Sequence, residues 1–434
     1  VDGMDPEMIS MSKALKSPVV RYGGNFTSGY HWRDGIGPMD KRITMLNQAW
    51  GIPEYNHFGT GEFLRFCQLI GAEPQIALNL GSGTPQEAAT WVQYVNSHWG
   101  DHRGGLLWEL GNELYGNWQL GYPTIDRIAE RTRAFSAAVR KVDPKARLIG
   151  TGQDPDHFAD WNARQFANAG EGFQYLSTHF VVGMASVLRR DASKDFKAES
   201  GFALAVGLEN RLREMHKQIE ADPRSRGKVK IAFTEWLHAG RGSEVPDFHN
   251  MGGAICAAGF LNTLIRVSDF TPIADMTGLV EFGGIWKKRE QVYGVPAYYA
   301  FRMYSTADAV WPVASVTTGE GYDMHEGNRR IPEIPNVPYL DVVAALGANK
   351  DHLTLLCVNR NVKREIPARI RIAGFQADSQ AQVQLLAARD IYQFNDEEHP
   401  QAIVPARSTA AVDSSGLQFT FPPSSVAVIE LRKR

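Results

Sequence analysis

Short apolar runs alternate with longer amphipathic segments from residue 1 to about 305, and this restricts the fold more than any other feature of the 434-residue chain. The runs are "SPVVRYGG" (17–24), "EPQIALNLGSGT" (73–84), "LLWELGNE" (106–113), "ARLIGTGQ" (146–153), "FQYLSTHF" (173–180), "KVKIAFTEW" (228–236) and "MTGLVEFGG" (276–284). Between them lie helix-period segments. "GEFLRFCQLIG" sets Phe63, Phe66, Cys67 and Ile70 on one face and stops at Gly71. "TPQEAATWVQYVN" opens with Thr84 as an N-cap and Pro85 at the first helical position. "IDRIAERTRAFSAAVRKVDP" is a long helix that Pro144 ends. Strands alternating with helices give a parallel sheet with crossover helices. So many units in this length favour a closed (β/α)8 (TIM) barrel over an open sheet. "RYGGNF" lacks the glycine spacing of a dinucleotide-binding turn.

After about residue 305 the pattern changes to short alternating runs such as "YLDVVAALG", "DHLTLLCVNRN" and "SSVAVIELRKR", broken by Gly, Pro, Asn and Asp. This reads as a C-terminal antiparallel β-sandwich. The expected division is a barrel over 1–305 and a sandwich over 306–434. A formal net charge of -2 with no basic tract gives no support to a nucleic-acid partner or an anionic membrane surface. No apolar run reaches the roughly 20 residues a bilayer requires. Cys67, Cys256 and Cys357 are odd in number and far apart, so they read as buried thiols and not as a disulfide framework.

Barrel enzymes place their chemistry at the C-terminal ends of the strands. Two of these runs end in glutamate: Glu113 after Leu-Gly-Asn, and Glu235 before Trp236. With the strands of Gln153 and His179 between them, they face each other across the barrel mouth. A lone strand-end glutamate is ordinarily solvated or ion-paired. Two at matching positions, set among Trp, Tyr and Asn, suit glycoside hydrolysis, in which one carboxyl protonates the leaving oxygen and the other attacks the anomeric carbon or activates water. Aromatic faces such as Tyr115 and Trp118 suit sugar rings, and Asn112 is placed to bind a 2-hydroxyl. His31 and Trp32, in the loop after Arg21, are candidates to face substrate, the alternative being packing within the loop. Glu109 shares the barrel-facing side of its strand with Glu113 and is expected to pair with Arg21, because a buried unpaired carboxylate is costly. His98 and His102 flank Asp101, but "HWGDHRGG" is glycine-rich and reads as a loop, not a metal site.

"VVRYGGNFTSGYHWRDGIGPMDKR" (19–42) resembles the segment R-Y-P-G-G-N-F-x-S-x-Y-x-W-x-D-G-I-G-P of glycoside hydrolase family 51, the α-L-arabinofuranosidases. "ELGNELYGNWQLG" (109–121) resembles the acid/base motif of that family and "IAFTEW" (231–236) its nucleophile motif. The resemblance covers nearly the whole chain. It implies a (β/α)8 barrel with a jelly-roll sandwich, and hydrolysis with retention and no cofactor or metal. Carried over, Glu113 is the acid/base and Glu235 the nucleophile, while Arg21, Asn25 and Asn112 bind the sugar in subsite -1. His179, Trp236 and Glu281 complete the expected binding set. Two positions depart from the family: "STHFVVG" has His179-Phe180 where a His-x-Tyr is frequent, and "DMTGLVEFGG" offers Gly278 and Glu281 where a glutamine is frequent.

The expected activity is exo-acting release of arabinofuranose from arabinoxylan or arabinan, with Glu113 kept protonated by the charge of its neighbour. The substrate is an arabinose-containing polysaccharide or oligosaccharide, and a homo-oligomer is in keeping with the family. The alternative on the same scaffold is an endo-acting glucanase or xylanase, which an open cleft favours. A catalytically silent carbohydrate-binding protein is the alternative outside catalysis, and the presence of both glutamates stands against it. A barrel closes only if every strand has two neighbours, and there are seven strand signals here, not eight. "VDGMDPEMIS" reads as a loop leading into a helix. A preceding segment is therefore expected to supply the first barrel strand, part of the sandwich and a further sugar-binding carboxylate.

Overall fold

A computed structural model describes residues 2–100, 104–183, 187–189, 191–239, 245–414 and 416–434. Seven parallel strands form one sheet in chain order: β1 (Val19–Tyr22), β2 (Glu73–Leu78), β3 (Leu107–Leu110), β4 (Arg147–Gly150), β5 (Tyr175–Gly183), β6 (Lys230–Ala239) and β7 (Ile273–Met276). The sheet curls into a nearly closed barrel. β1 and β7 come within 8 Å, Cα to Cα, but no ladder joins them among the described residues. The inner and outer faces are both covered, which is why β2 and β3 read as continuous apolar runs. Leu107, Ile149 and Ala232 fill the floor of the barrel.

The helices on the outside begin and end where local chemistry dictates. Asp5 caps α1 (Pro6–Ala14) by accepting from the backbone of Glu7 and Met8. α2 (Thr60–Ile70) ends at Gly71, whose φ of 78° is the left-handed conformation that glycine takes most easily. Phe66 on this helix is only half-buried, and Leu64 joins Phe63, Cys67 and Ile70 on the buried face. In α3 (Pro85–Trp99), the Thr84 hydroxyl accepts from the Glu87 amide at 3.1 Å, as expected. The helix runs through His98, whose ring contacts the Tyr94 carbonyl, so this part of "HWGDHRGG" is helical and not loop. Asp101 and His102 lie outside the described residues. α4 (Ile128–Val142) starts later than the sequence pattern suggests and ends just before Pro144. α5 (Ala159–Gln165) and α6 (Lys194–Ala221) follow.

α7 (Met251–Arg266) is buried almost all round, because barrel and sandwich press on it from opposite sides. α8 (Pro296–Thr306) closes the barrel segment. Beyond α8, eight strands make one antiparallel sheet, and Gly321–Met324 pairs with Ile334–Pro338 in a separate small ribbon. The large sheet curls so that Leu355, Val383 and Ile429 pack against Leu417 and Phe421, while Leu356, Val358 and Val428 on its other face pack on α7 and α8. Asp341 ties the two layers together by accepting from the fully buried Arg360 at 2.6 Å and from Arg266 of α7 at 2.7 Å. The three cysteines are free and buried. No helix among the described residues is long and apolar enough to cross a membrane.

The last barrel strand departs from the sequence reading. Ile273–Met276 is the strand, and most of "MTGLVEFGG" forms the turns that follow it. Gly278, Glu281 and Phe282 all take positive φ there, which a strand excludes.

Candidate active site

Alternation along β3 sends Leu107 and Glu109 into the barrel, and Trp108 and Leu110 outward into the main core. The strand then breaks at Gly111, with φ +93°, where a side chain would run into Leu114. Glu113 itself has φ +46°, a conformation that costs a non-glycine residue about 1–3 kcal/mol and clusters at functional sites. This turn brings Asn112 and Glu113 over the barrel mouth.

Arg21, at the end of β1, organises what they meet. Its Nε donates to Glu109 at 2.7 Å, one Nη donates to Asn112 Oδ1 at 2.7 Å, and the other reaches Glu235 at 3.3 Å. Asn112 in turn donates to Asn25 Oδ1 at 3.3 Å, and Gln119 donates to the same oxygen at 2.7 Å. His179, on β5, lies between the carboxylates. Its Nδ1 is 3.0 Å from Glu113 and 3.7 Å from Glu235, and its Nε2 is 2.9 Å from the Thr234 hydroxyl, which donates to Glu109 at 2.8 Å. Trp118 Nε1 donates to the other oxygen of Glu113 at 2.7 Å.

These contacts decide where the protons reside. Burial works against both cations, but the carboxylates outweigh it: Arg21 is held well above its usual range, and His179 rises to about 10. Glu109 falls to about 2, because Arg21 and His179 overcome its burial. Burial also raises Glu113, but the His179 hydrogen bond and charge, with Trp118, bring it below the ordinary carboxylate range. The sequence reading had Glu113 held protonated by its neighbour's charge. The structure reverses that, because a histidine occupies the space between the two glutamates.

Arg21, Asn25, Asn112, His179, Glu113 and Glu235 thus converge, and Glu109 pairs with Arg21 as its strand position suggested. Four other expectations land elsewhere. His31 turns away to Glu87 of α3, 2.9 Å from its Nδ1. Trp32 is buried, stacked on Trp91 and tilted against Tyr94. Trp236 follows Glu235 on a strand and therefore points outward, where it packs edge-on against Phe260 of α7. Glu281 is exposed in the turns after β7.

The sequence reading missed Thr234, Gln119 and Asp275. Burial pushes Asp275 up to about 7, and it accepts from Gln75 at 2.9 Å in the barrel interior. A groove of about 670 Å³ runs along the β1–β7 gap past Arg21, Asp275 and Glu235. A second cavity of about 420 Å³ lies between Asn47, Gln48, Trp118 and Tyr122, and both are bounded by Asn25.

Among the described residues, ligand-type atoms of Glu113, His179 and Glu235 lie within 4.8 Å of one another. His179 is a poor metal ligand here, because its neighbours keep the ring protonated and a protonated imidazole has no lone pair to give. In a second cluster, Asp154, Asp156 and His157, the two carboxylates are already bridged by Arg330.

Residues 11–189 match the family model described as the alpha-L-arabinofuranosidase 1 domain, and residues 235–425 match the alpha-L-arabinofuranosidase C-terminal domain. Over 100% of its length the chain is 26% identical to the intracellular exo-alpha-(1->5)-L-arabinofuranosidase 1 of Bacillus subtilis (strain 168), covering 90% of that protein. It is similar to the crystal structure of the α-L-arabinofuranosidase of Thermotoga maritima in complex with arabinose, at 30% identity and a TM-score of 0.88, over 99% of this chain and 90% of that one. The GH51 α-L-arabinofuranosidase of Thermotoga petrophila RKU-1 matches at 29% identity and a TM-score of 0.83, over 99% and 90% of the two chains. The chain belongs to glycoside hydrolase family 51, the α-L-arabinofuranosidases.

Proposed function

We propose that Glu235 is the nucleophile and Glu113 the acid/base of a retaining double displacement. The enzyme releases terminal arabinofuranose from arabinoxylan or arabinan, with residues 1–305 carrying the chemistry and 306–434 buttressing it. The observation that carries this reading is the approach of one Glu113 oxygen to one Glu235 oxygen within 4.8 Å. Retaining enzymes hold their carboxyl groups roughly 5–5.5 Å apart, whereas inverting ones leave room for a water at about 6.5–9.5 Å. Exo action is supported by the description of the Bacillus subtilis relative.

The two carboxylates are given different partners. Glu235 faces Arg21, a cation that keeps its proton, at 3.3 Å. Glu113 faces His179, a cation that can release one. The His179–Glu113 pair therefore titrates as a unit. When substrate excludes water, a neutral imidazole beside a carboxylic acid becomes cheaper than the buried ion pair, and the proton moves to Glu113. Glu113 then protonates the departing oxygen as Glu235 forms the glycosyl-enzyme. It takes a proton back from the water that hydrolyses that intermediate. Asn112 hydrogen-bonds the 2-hydroxyl, held in place by Arg21.

The test is turnover of nitrophenyl and methyl α-L-arabinofuranosides. Glu235→Ala should abolish both activities. Glu113→Ala should spare the nitrophenyl substrate, whose leaving group needs little protonation, and azide should rescue it. Equal loss on both substrates removes Glu113 from this role, and an inverted first-formed anomer, seen by NMR, removes retention.

A further inference from the structure

We propose that Arg330, on the segment leading into the sandwich, is a positioning residue that fixes the acid/base Glu113 through Asp154, Tyr115 and Trp118. This rests on the acid/base reading of Glu113 and extends it to a part of the chain outside the barrel. Arg330 sits between the strands Gly321–Met324 and Ile334–Pro338 of a small ribbon, yet its side chain reaches the barrel mouth. Its Nε and one Nη take both oxygens of Asp156, at 2.9 and 2.7 Å. The same Nη donates to Asp154 at 3.0 Å, and the other donates to the Val181 carbonyl of β5 at 2.9 Å. The guanidinium lies 4.2 Å over the ring of Phe180. Its own loop is fixed in turn, with the Arg330 amide on Asn328 at 2.9 Å and the Gly327 carbonyl on Ser200 at 2.7 Å.

The chain of contacts continues to Glu113. The second oxygen of Asp154 accepts the Tyr115 hydroxyl at 2.5 Å. The Tyr115 ring stands edge-on between Trp161 and Trp118, at 6.0 and 5.9 Å. Trp118, half-exposed, donates to Glu113 at 2.7 Å. An exposed indole keeps such a bond only if something fixes its ring plane, and here that is Tyr115. The angle of Tyr115 is set by Asp154, a carboxylate that burial already raises and that Arg330 restrains. Removing Arg330 leaves Asp154 facing Asp156 with only His157, 3.1 Å from Asp156, to offset their charge, and a protonated Asp154 no longer accepts from Tyr115 in the same way.

The experiment compares Arg330→Ala, Tyr115→Phe and the double variant on nitrophenyl and methyl α-L-arabinofuranosides. Each single variant should lower kcat on the methyl substrate about tenfold and on the nitrophenyl substrate about twofold at most, with KM nearly unchanged, because only the poor leaving group needs a well-placed acid. The double variant should be no worse than the poorer single one, since both break the same chain. Equal losses on the two substrates, or losses that multiply in the double variant, overturn the proposal. Tyr115→Phe keeps the ring and removes only the hydroxyl, so it decides the matter alone if Arg330→Ala does not fold. Glu113→Ala is run in parallel. If it shows the leaving-group dependence and these variants do not, the positioning role fails and the acid/base reading stands. If it shows none, both fall.

Discussion

Glu109→Gln is the most direct probe of the charge network, because Glu109 lies behind Glu113 and Glu235 with no exposed surface. The change keeps the shape and removes one negative charge from between two buried cations. Glu109 accepts from Arg21 at 2.7 Å and from Thr234 at 2.8 Å, and it lies 3.8 Å from His179 Nε2. Breaking a buried ion pair from one side costs about 3–5 kcal/mol. The lower end applies here, since Glu235 still faces Arg21 and the amide oxygen still accepts one hydrogen bond. At roughly 2.1 cal/mol/K per residue the chain has an unfolding entropy of about 0.9 kcal/mol/K, so about 3 kcal/mol lowers Tm by about 3 °C. Arg21 would also lose its anchor and release Asn112 and Glu235 from their alignment, lowering kcat at least tenfold, roughly, for a small misplacement. Burial lowers His179 and the Glu109 carboxylate is the largest influence raising it, so its loss should move the alkaline limb of the pH–rate profile to lower pH. Differential scanning calorimetry and pH-dependent kinetics on the intact enzyme measure both effects. A melting point within about 1 °C of the parent, together with an unmoved alkaline limb, refutes this account of the network.

Stability should also depend on pH in two windows. The contribution of Glu109, lowered from 4.5 to about 2, is present above pH 4.5 and lost as pH falls toward about 2. That of His179, raised from 6.5 to about 10, is full below pH 6.5 and lost as pH rises toward about 10. A denaturant midpoint that stays constant from neutrality to pH 10 would contradict the protonated His179. Gly111→Ala puts a Cβ at φ +93° and into Leu114, which should cost about 1–3 kcal/mol and disturb the turn carrying Asn112 and Glu113. Loss of kcat with a lowered melting temperature is the expected result, and unchanged kcat would show that the turn tolerates the shift.

The barrel was legible because its strands, pressed between core and helices, are rich in apolar residues and are punctuated by Gly or Pro. The exception is instructive. "IADM" is only four residues with Ala and Asp in the middle, and it gives a weaker signal than the Leu279, Val280 and Phe282 that follow. The apolar residues after it form turns, and their positive φ values have no signature in a run of that composition. The strand ends at Met276, so Asp275 lies in the barrel interior and Glu281 in the exposed turns beyond it. The curled sandwich and the buried α7 arise from one cause that a strand-by-strand reading cannot see: opposite faces of one helix must satisfy two cores.

For the site, strand-end position is enough to bring Glu113 and Glu235 to the barrel mouth, although Glu113 lies past the strand on a turn, and period is enough to aim Glu109 inward and Trp236 outward. His31 and Trp32 mislead because nearness to Arg21 in sequence is not nearness in space. Short 3-10 turns over Asn25–Gly29 and Trp32–Gly35 carry the chain from the barrel mouth to the flank of α3. What no spacing rule supplies is the place of the proton. Two facing carboxylates alone would force one of them to stay neutral. His179 enters from a different strand, sits within 3.0 Å of Glu113, and is itself held protonated by three carboxylates. In the proposed mechanism the acid's proton therefore begins on its neighbour, and that follows only once the three-dimensional set of charges is known.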